Sequence, residues 1–294
     1  MDRNTVLEWL RAGDSGTRLR AARELRAWSD GETQRALVGA LADDAREVRQ
    51  AAVQTLMEIG DGSAVPHLVP LLRAGEPPVR NGARQVLEAL GRVEPRALAD
   101  LSRDPDPRMR VFAANIMGGT GDHDHAGRLV EMLDDADPNA VEAAVSALGR
   151  LGAREAVPGL RRIAAQTDSW LRFSAIDALG SVIDPSAERA LIDLVTASGD
   201  DFIEPVIDAL GRQGGSASVT ALVGLMEQRP AARDAAFRTL VGPLAARVAS
   251  FGRDPRLAPL ALAAAEALRR NQLPARLART TAVLLAAIQE RENS

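Results

Sequence analysis

One pattern returns eight times in this sequence, at steps of 30 or 31 residues, and it limits the chain to a single architecture. Its clearest copy runs from Val48 to Gly60 and carries Arg49 in a slot that recurs as Arg18, Arg80, Arg110, Arg172 and Arg233. Val141 and Ile203 fill the slot in the two remaining copies. Three residues after the slot stands a mostly small apolar residue, such as Ala52, Ala83 or Ala175, and seven after it a larger one, such as Leu56, Leu87 or Leu179. That spacing is one face of a helix. A lone amphipathic helix cannot bury its face, so repetition at this period means units stacked on their neighbours. The expected fold is an all-α solenoid of about eight helical hairpins over residues 1–242. After Gly242 the period fails, and residues 243–294 read as C-terminal capping helices continuous with it.

Within a unit the sequence divides into a first helix, a tight turn and a second helix that begins near the slot. In the second unit these fall at about residues 32–41, 42–45 and 46–60. The turns are rich in Asp, as in Asp104-Pro105-Asp106-Pro107 and Asp134-Asp135-Ala136-Asp137-Pro138. An Asp side chain accepts the free N–H groups of a starting helix, and Pro suits its first turn. Gly60, Gly91, Gly121, Gly152 and Gly214 stand eleven residues after the slot, where a left-handed helix terminus is expected.

Composition removes most chemistry. There is no cysteine, so disulfides, thiolate nucleophiles and iron–sulfur clusters are excluded. All 36 basic residues are arginine, which leaves no lysine for a Schiff base or a phosphate loop. Aromatic content is only 3%, as closely packed small-residue helices require. No run approaches the roughly 18 apolar residues of a membrane span. The polar start, Met1-Asp2-Arg3-Asn4, leads into an amphipathic helix and not a secretory leader, so a cytoplasmic location is expected. The chain is net acidic at −4, but residues 212–294 are net basic, including Arg269, Arg270, Arg276 and Arg279. A nucleic-acid binder carries a basic stripe over its working face, and only this end has one. It reads as a cap, with docking of an acidic partner the alternative.

The run Asp106-Pro107-Arg108-Met109-Arg110 continuing to Gly121, together with Ala64-Val65-Pro66-His67-Leu68 and Ala156-Val157-Pro158-Gly159-Leu160 in first helices, resembles the HEAT-repeat family, in particular its bacterial phycobilisome-lyase-like subtype. The resemblance covers about residues 5–242. It implies a right-handed superhelix whose second helices line a concave face, and a role as adaptor or scaffold. A phycobilin-lyase-like enzyme or chaperone subunit is the alternative that the subtype's name suggests. The arginine ladder, from Arg18 to Arg233, is expected to pair with turn Asp residues of its own or the adjacent unit and to fix register. Each such pair contributes about 0–1 kcal/mol if exposed.

With the slot as zero and about 100° per residue, positions −1, +3, +6, +7 and +10 cluster on the apolar side, and +1, +5 and +8 lie opposite. The concave lining expected from this includes Gln54, Gln85, Val111, Asn115, Glu142, Phe173, Asp177, Glu204 and Asp208. Its early part is rich in amides, which offer donor and acceptor to an extended backbone. From Glu142 onward it reads as acidic with Val111 and Phe173 as apolar points, which suits a basic or amphipathic segment of another protein. Gly118, Gly149, Gly180 and Gly211 at +8 are expected to open the wall to close approach.

Enzyme readings find little support. Gly121-Asp122-His123-Asp124-His125 superficially resembles a metal cluster, but it offers no third convergent ligand, and the remaining histidine is His67. The HEAT-like hydroxylases hold iron through paired His-Glu motifs, and the chain contains none. A HEAT-like DNA glycosylase would need Trp, Asp and Arg on a basic face, whereas Trp9, Trp28 and Trp170 fall in different units. Trp9 and Trp28 are expected to pack the N-terminal cap. The chain is therefore read as a non-enzymatic, cofactor-free protein that holds another protein, with neither nucleic acid nor membrane as partner.

Overall fold

The computed structural model describes residues 2–90, 95–166, 170–197, 202–229 and 232–241, together with isolated positions 247, 263 and 264. The proposed capping helices over 243–294 and Gly91 lie outside the described residues, apart from the isolated positions just named. Among the described residues every regular element is helical. The chain is an all-α solenoid, and it divides into two compact units, Met1–Ala147 and Leu148–Ser294.

In the first unit the hairpins run α1 (Arg3–Ala12) with α2 (Ser15–Glu24), α3 (Gly31–Gly39) with α4 (Arg46–Ile59), α5 (Val65–Leu68) with α6 (Pro77–Leu90), and α7 (Pro95–Leu101) with α8 (Pro107–Thr120). They are followed by α9 (Ala126–Glu131) and α10 (Pro138–Leu151), the latter straddling the division. The second unit contains α11 (Val157–Ala164), α12 (Leu171–Ser181), α13 (Pro185–Ala197), α14 (Ile203–Gln213), α15 (Ser216–Gln228) and α16 (Arg233–Val241).

Helix starts follow the Asp signals. The Asp14 carboxylate accepts from Thr17 N–H at 2.7 Å, Asp106 from Arg108 N–H at 2.9 Å, and Asp137 from Asn139 N–H at 2.9 Å. Each satisfies a donor that the first turn leaves free, a contribution of about 1 kcal/mol. First helices vary in length, from the four residues of α5 to the thirteen of α13 and α15. In the third unit of the repeat α5 has four residues and gives way to a 3-10 segment, Val69–Arg73. Pro70 lacks the N–H that would continue the α-helical ladder, which explains the change. The glycine signal is also divided. Gly121, Gly152 and Gly214 adopt left-handed φ of 64–66°. Gly60, expected to match them, is extended instead, with φ −66° and ψ 147°. Its N–H still bonds Leu56 O at 2.8 Å, so this helix ends without the left-handed turn.

The core is the apolar stripe of the repeat. Ala21, Ala52, Ala83, Ala113, Ala144, Ala175, Val206 and Ala236 are fully buried, as are Leu25, Leu56, Leu148 and Leu210. At about 25 cal/mol per Å² the leucines supply most of the stabilisation, while the alanines let neighbouring axes approach.

Candidate functional site

Two arginines of the ladder tie neighbouring hairpins together. Arg110 at the start of α8 donates to Asp104 O at 2.9 Å in its own turn and to both Asp135 oxygens at 2.7 Å in the next unit. Arg18 does the same, with Gly13 O at 3.0 Å and Asp43 at 2.7 and 2.9 Å. Both bridges are largely buried, and the guanidinium hydrogen bonds hold the Asp43 and Asp135 carboxyls below the usual carboxylate range. Where no carboxylate stands 25 residues on, three of the arginines donate, among the described residues, to main-chain carbonyls of their own hairpin. Arg49 donates to Asp43 O and Asp44 O, Arg80 to Ala74 O and Gly75 O, and Arg233 to Met226 O. Arg172 departs from the set: it is 6% exposed, and its guanidinium carbon lies 3.9 Å from the Phe202 ring centroid. Of the six ladder arginines only Arg18 and Arg110 thus pair with an Asp side chain, that of the following turn, while Arg49, Arg80 and Arg233 donate to main-chain carbonyls.

The nine side chains expected to line the open face are all at least partly exposed. In the first unit Gln54 and Gln85 are exposed, and Val111, Asn115 and Glu142 are half-buried. Gln50, Gln54, Asn81 and Gln85 line one depression of about 640 Å³ between α4 and α6. Val111 belongs to another, of about 480 Å³, walled by Leu72, Met109 and Phe112. In the second unit Phe173, Asp177, Glu204 and Asp208 are exposed.

Two expectations about this face need correction. The +8 glycines do not open it. Gly149, Gly180 and Gly211 are buried against the next second helix, where a methyl on Gly149 would meet Ala178 Cα at 3.0 Å and one on Gly180 would meet Ala209 Cα at 2.9 Å. A +8 residue points about 80° from the slot, at the edge of the open arc, and that edge is where the following helix packs. The position missed is +9, at about 180°, which is exposed in Glu58, Arg150 and Arg212. The second correction follows from the first. The acidic floor of the second unit is partly neutralised, because Arg212 bridges Asp177 at 2.8 Å and Arg238 bridges Glu204 at 3.4 Å. Asp208 makes no ion pair among the described residues. Completing the helical wheel to +9 would have shown Arg212.

The histidine loop does not assemble a site. His125 is buried and His123 exposed, and among the described residues no group of three or more His, Cys, Asp or Glu could hold a metal ion. Trp9 and Trp28 lie in the first unit, half-buried: Arg20 stacks over Trp9 at 5.6 Å, and Trp28 lines a depression between α2 and α4. Among the described residues no helix is long and apolar enough to cross a membrane.

These hairpins, with an arginine near the start of six of the eight second helices, define a repeat protein. The family model for HEAT repeats matches residues 4–88 and 95–180, more than half of the sequence, and the chain belongs to the HEAT-repeat family. No curated protein matches the sequence. Among solved structures the chain is similar to importin beta, at 14% identity and a TM-score of 0.62, covering 97% of this chain and 49% of that one. It therefore spans about half the length of that relative, and the likeness concerns the fold. An engineered protein matches at 17% identity, covering 98% of this chain and 99% of that one, with a TM-score of 0.43. The complex of CpcE and CpcF of phycocyanin lyase from Nostoc sp. PCC7120 matches at 18% identity, covering 92% and 95%, with a TM-score of 0.35.

Proposed function

We propose that this protein is a non-catalytic scaffold that holds a segment of another protein against the exposed face of its second helices. The observation that carries the reading is the gathering of Gln50, Gln54, Asn81 and Gln85 in one depression between α4 and α6. Four primary amides in a row offer donors and acceptors matched to an extended backbone, whatever its side chains. Arg18 and Arg110 are spent on stacking, and of the four amides only Gln54 is engaged among the described residues, donating to Glu58 Oε1 at 2.8 Å. Repeat proteins commonly bind along such faces. The location is proposed to be the cytoplasm.

The test compares two faces of the tagged full-length protein. Replacing Gln54, Asn81 and Gln85 together by Ala is expected to reduce a co-purifying partner at least about tenfold, the effect of losing one to two net hydrogen bonds. Helicity should stay unchanged. Replacing Arg161 and Arg189 on the exposed side of α11 and α13 should leave the partner in place. Loss of the partner from the second set alone would overturn the proposal.

A further inference from the structure

Eight residues of this chain are aromatic; two of them, Phe173 and Phe202, meet in the second unit, and a third, Trp170, stands three residues before Phe173. Phe173, on the first turn of α12, packs on Phe202, just before α14, with centroids 4.7 Å apart and planes at 36°. Trp170 precedes Phe173 by three residues, so their side chains share one side of the α12 start. Trp170 is 53% exposed and Phe173 48%; among the described residues only Met57 and Ile183 are other large apolar side chains left exposed. A platform of this size open to water is a contact surface.

The surroundings decide what it contacts. Asp177, Glu204 and Asp208 project from the same exposed faces of α12 and α14. Only Arg212 on these two helices answers them at the surface; Arg238 reaches Glu204 from α16 at 3.4 Å, a long and exposed bridge that contributes little. An aliphatic side chain seated on the rings would strip water from these carboxylates, of which Asp208 makes no ion pair among the described residues, and offer no donor in its place. A guanidinium would not. Its flat face stacks on an aromatic ring while its N–H groups reach carboxylates, which a lysine ammonium matches less well. The protein uses this chemistry itself: Arg172 lies 3.9 Å over Phe202 on the buried side of the cluster.

We infer that the Trp170–Phe173–Phe202 platform is a receptor for an arginine side chain of the bound polypeptide, stacked on the exposed rings and held by Glu204 and Asp208. This deepens the scaffold proposal and rests on it: one point on the second-helix face selects the partner, whereas the amides of the first unit accept backbone of any sequence.

The test uses the full chain labelled with 5-fluorotryptophan, whose Trp170 fluorine resonance is assigned with Trp170→Phe. The probes are three short alanine-based peptides of one length, carrying two arginines a helical turn apart, two citrullines, or two leucines. The arginine peptide should shift the Trp170 resonance and bind about tenfold more tightly than the citrulline peptide, the scale of a cation–aromatic contact. Phe173→Ala, and separately Glu204→Gln with Asp208→Asn, should each remove most of that difference. These side chains are exposed, so the fold should survive; a circular dichroism spectrum checks it. Equal or tighter binding of the leucine peptide would overturn the inference in favour of an apolar anchor. So would a Trp170 resonance that no peptide moves. Neither result bears on the amide row, whose failure in co-purification would leave the peptide result standing.

Discussion

The two compact units hold their second helices together by different means. In the first, Arg18 and Arg110 cross to the Asp43 and Asp135 carboxylates of the following turn, so adjacent hairpins are joined by partly buried, bidentate ion pairs. In the second, no such crossing bridge forms from the slot among the described residues. Arg172 is stacked on Phe202, Ile203 replaces the arginine, and the helices close instead along Gly149–Ala178, Gly180–Ala209 and Gly211–Thr239. Each pair sets the +8 position of one helix against the +6 position of the next. The same repeat thus reaches the same stacking through a polar clamp or a close apolar seam. A polar clamp demands two residues at fixed separation, whereas a seam demands only that bulk be absent.

That contrast predicts a graded set of effects. The largest belongs to the clamp. Arg110→Ala leaves Asp135 nearly buried without its partner and should destabilise the protein by about 2–4 kcal/mol in urea unfolding. Arg49→Ala, which removes only own-turn carbonyl bonds, should cost about 1 kcal/mol. Equal losses at the two positions would mean that the crossing bridge adds nothing. Next comes the seam: Gly180→Ala forces a methyl against Ala209 Cα and should destabilise by about 1–3 kcal/mol. Gly39→Ala, at the end of α3 with open space around it, should instead stabilise by up to about 1 kcal/mol. If both alanines stabilise, the seam is not closely packed.

Acid sharpens the comparison further. Asp43 and Asp135 have folded-state pKa values lowered chiefly by hydrogen bonds from Arg18 and Arg110. At Asp30 burial pushes the carboxyl up, but hydrogen bonds from Thr33 and Arg3 prevail and lower it to about 2. A carboxylate with a depressed folded pKa contributes its full stability above the unfolded value, near 3.8, and loses it as pH falls through the folded value. Stability should therefore drop between about pH 4 and pH 2, and Arg110→Ala should show a shallower drop than the parent protein. An unchanged slope would contradict the assignment of the Asp135 shift to Arg110. The smallest effect is expected at the surface: Arg212→Ala breaks an exposed bridge to Asp177 and should change stability by no more than about 0.5 kcal/mol.

Much of this was legible from sequence because a stacked repeat makes local pattern and tertiary environment the same thing. The slot arginine, the buried Ala and Leu positions, the Asp caps and the exposure of Gln54, Gln85, Glu204 and Asp208 all follow from one helical wheel and one period. What did not follow depends on how neighbouring helices approach. The wheel placed Gly149 and Gly180 on the open arc, and only the lateral position of the next helix buries them. Phe173 and Phe202 are 29 residues apart and meet only because α12 and α14 stack. The bridges Asp177–Arg212 and Glu204–Arg238 cross between helices in the same way, which is why an apparently acidic face is partly neutral.

The claim that the open second-helix face holds a polypeptide is tested most directly by photo-crosslinking in cells. A photoreactive residue placed singly at Gln54, Gln85, Phe173 and Asp208, and for contrast at Arg161 and Arg189, reports which face a partner covers. The account predicts that the four second-helix positions capture one and the same polypeptide and that Arg161 and Arg189 do not. Capture from Arg161 or Arg189 with none from the other four would contradict it.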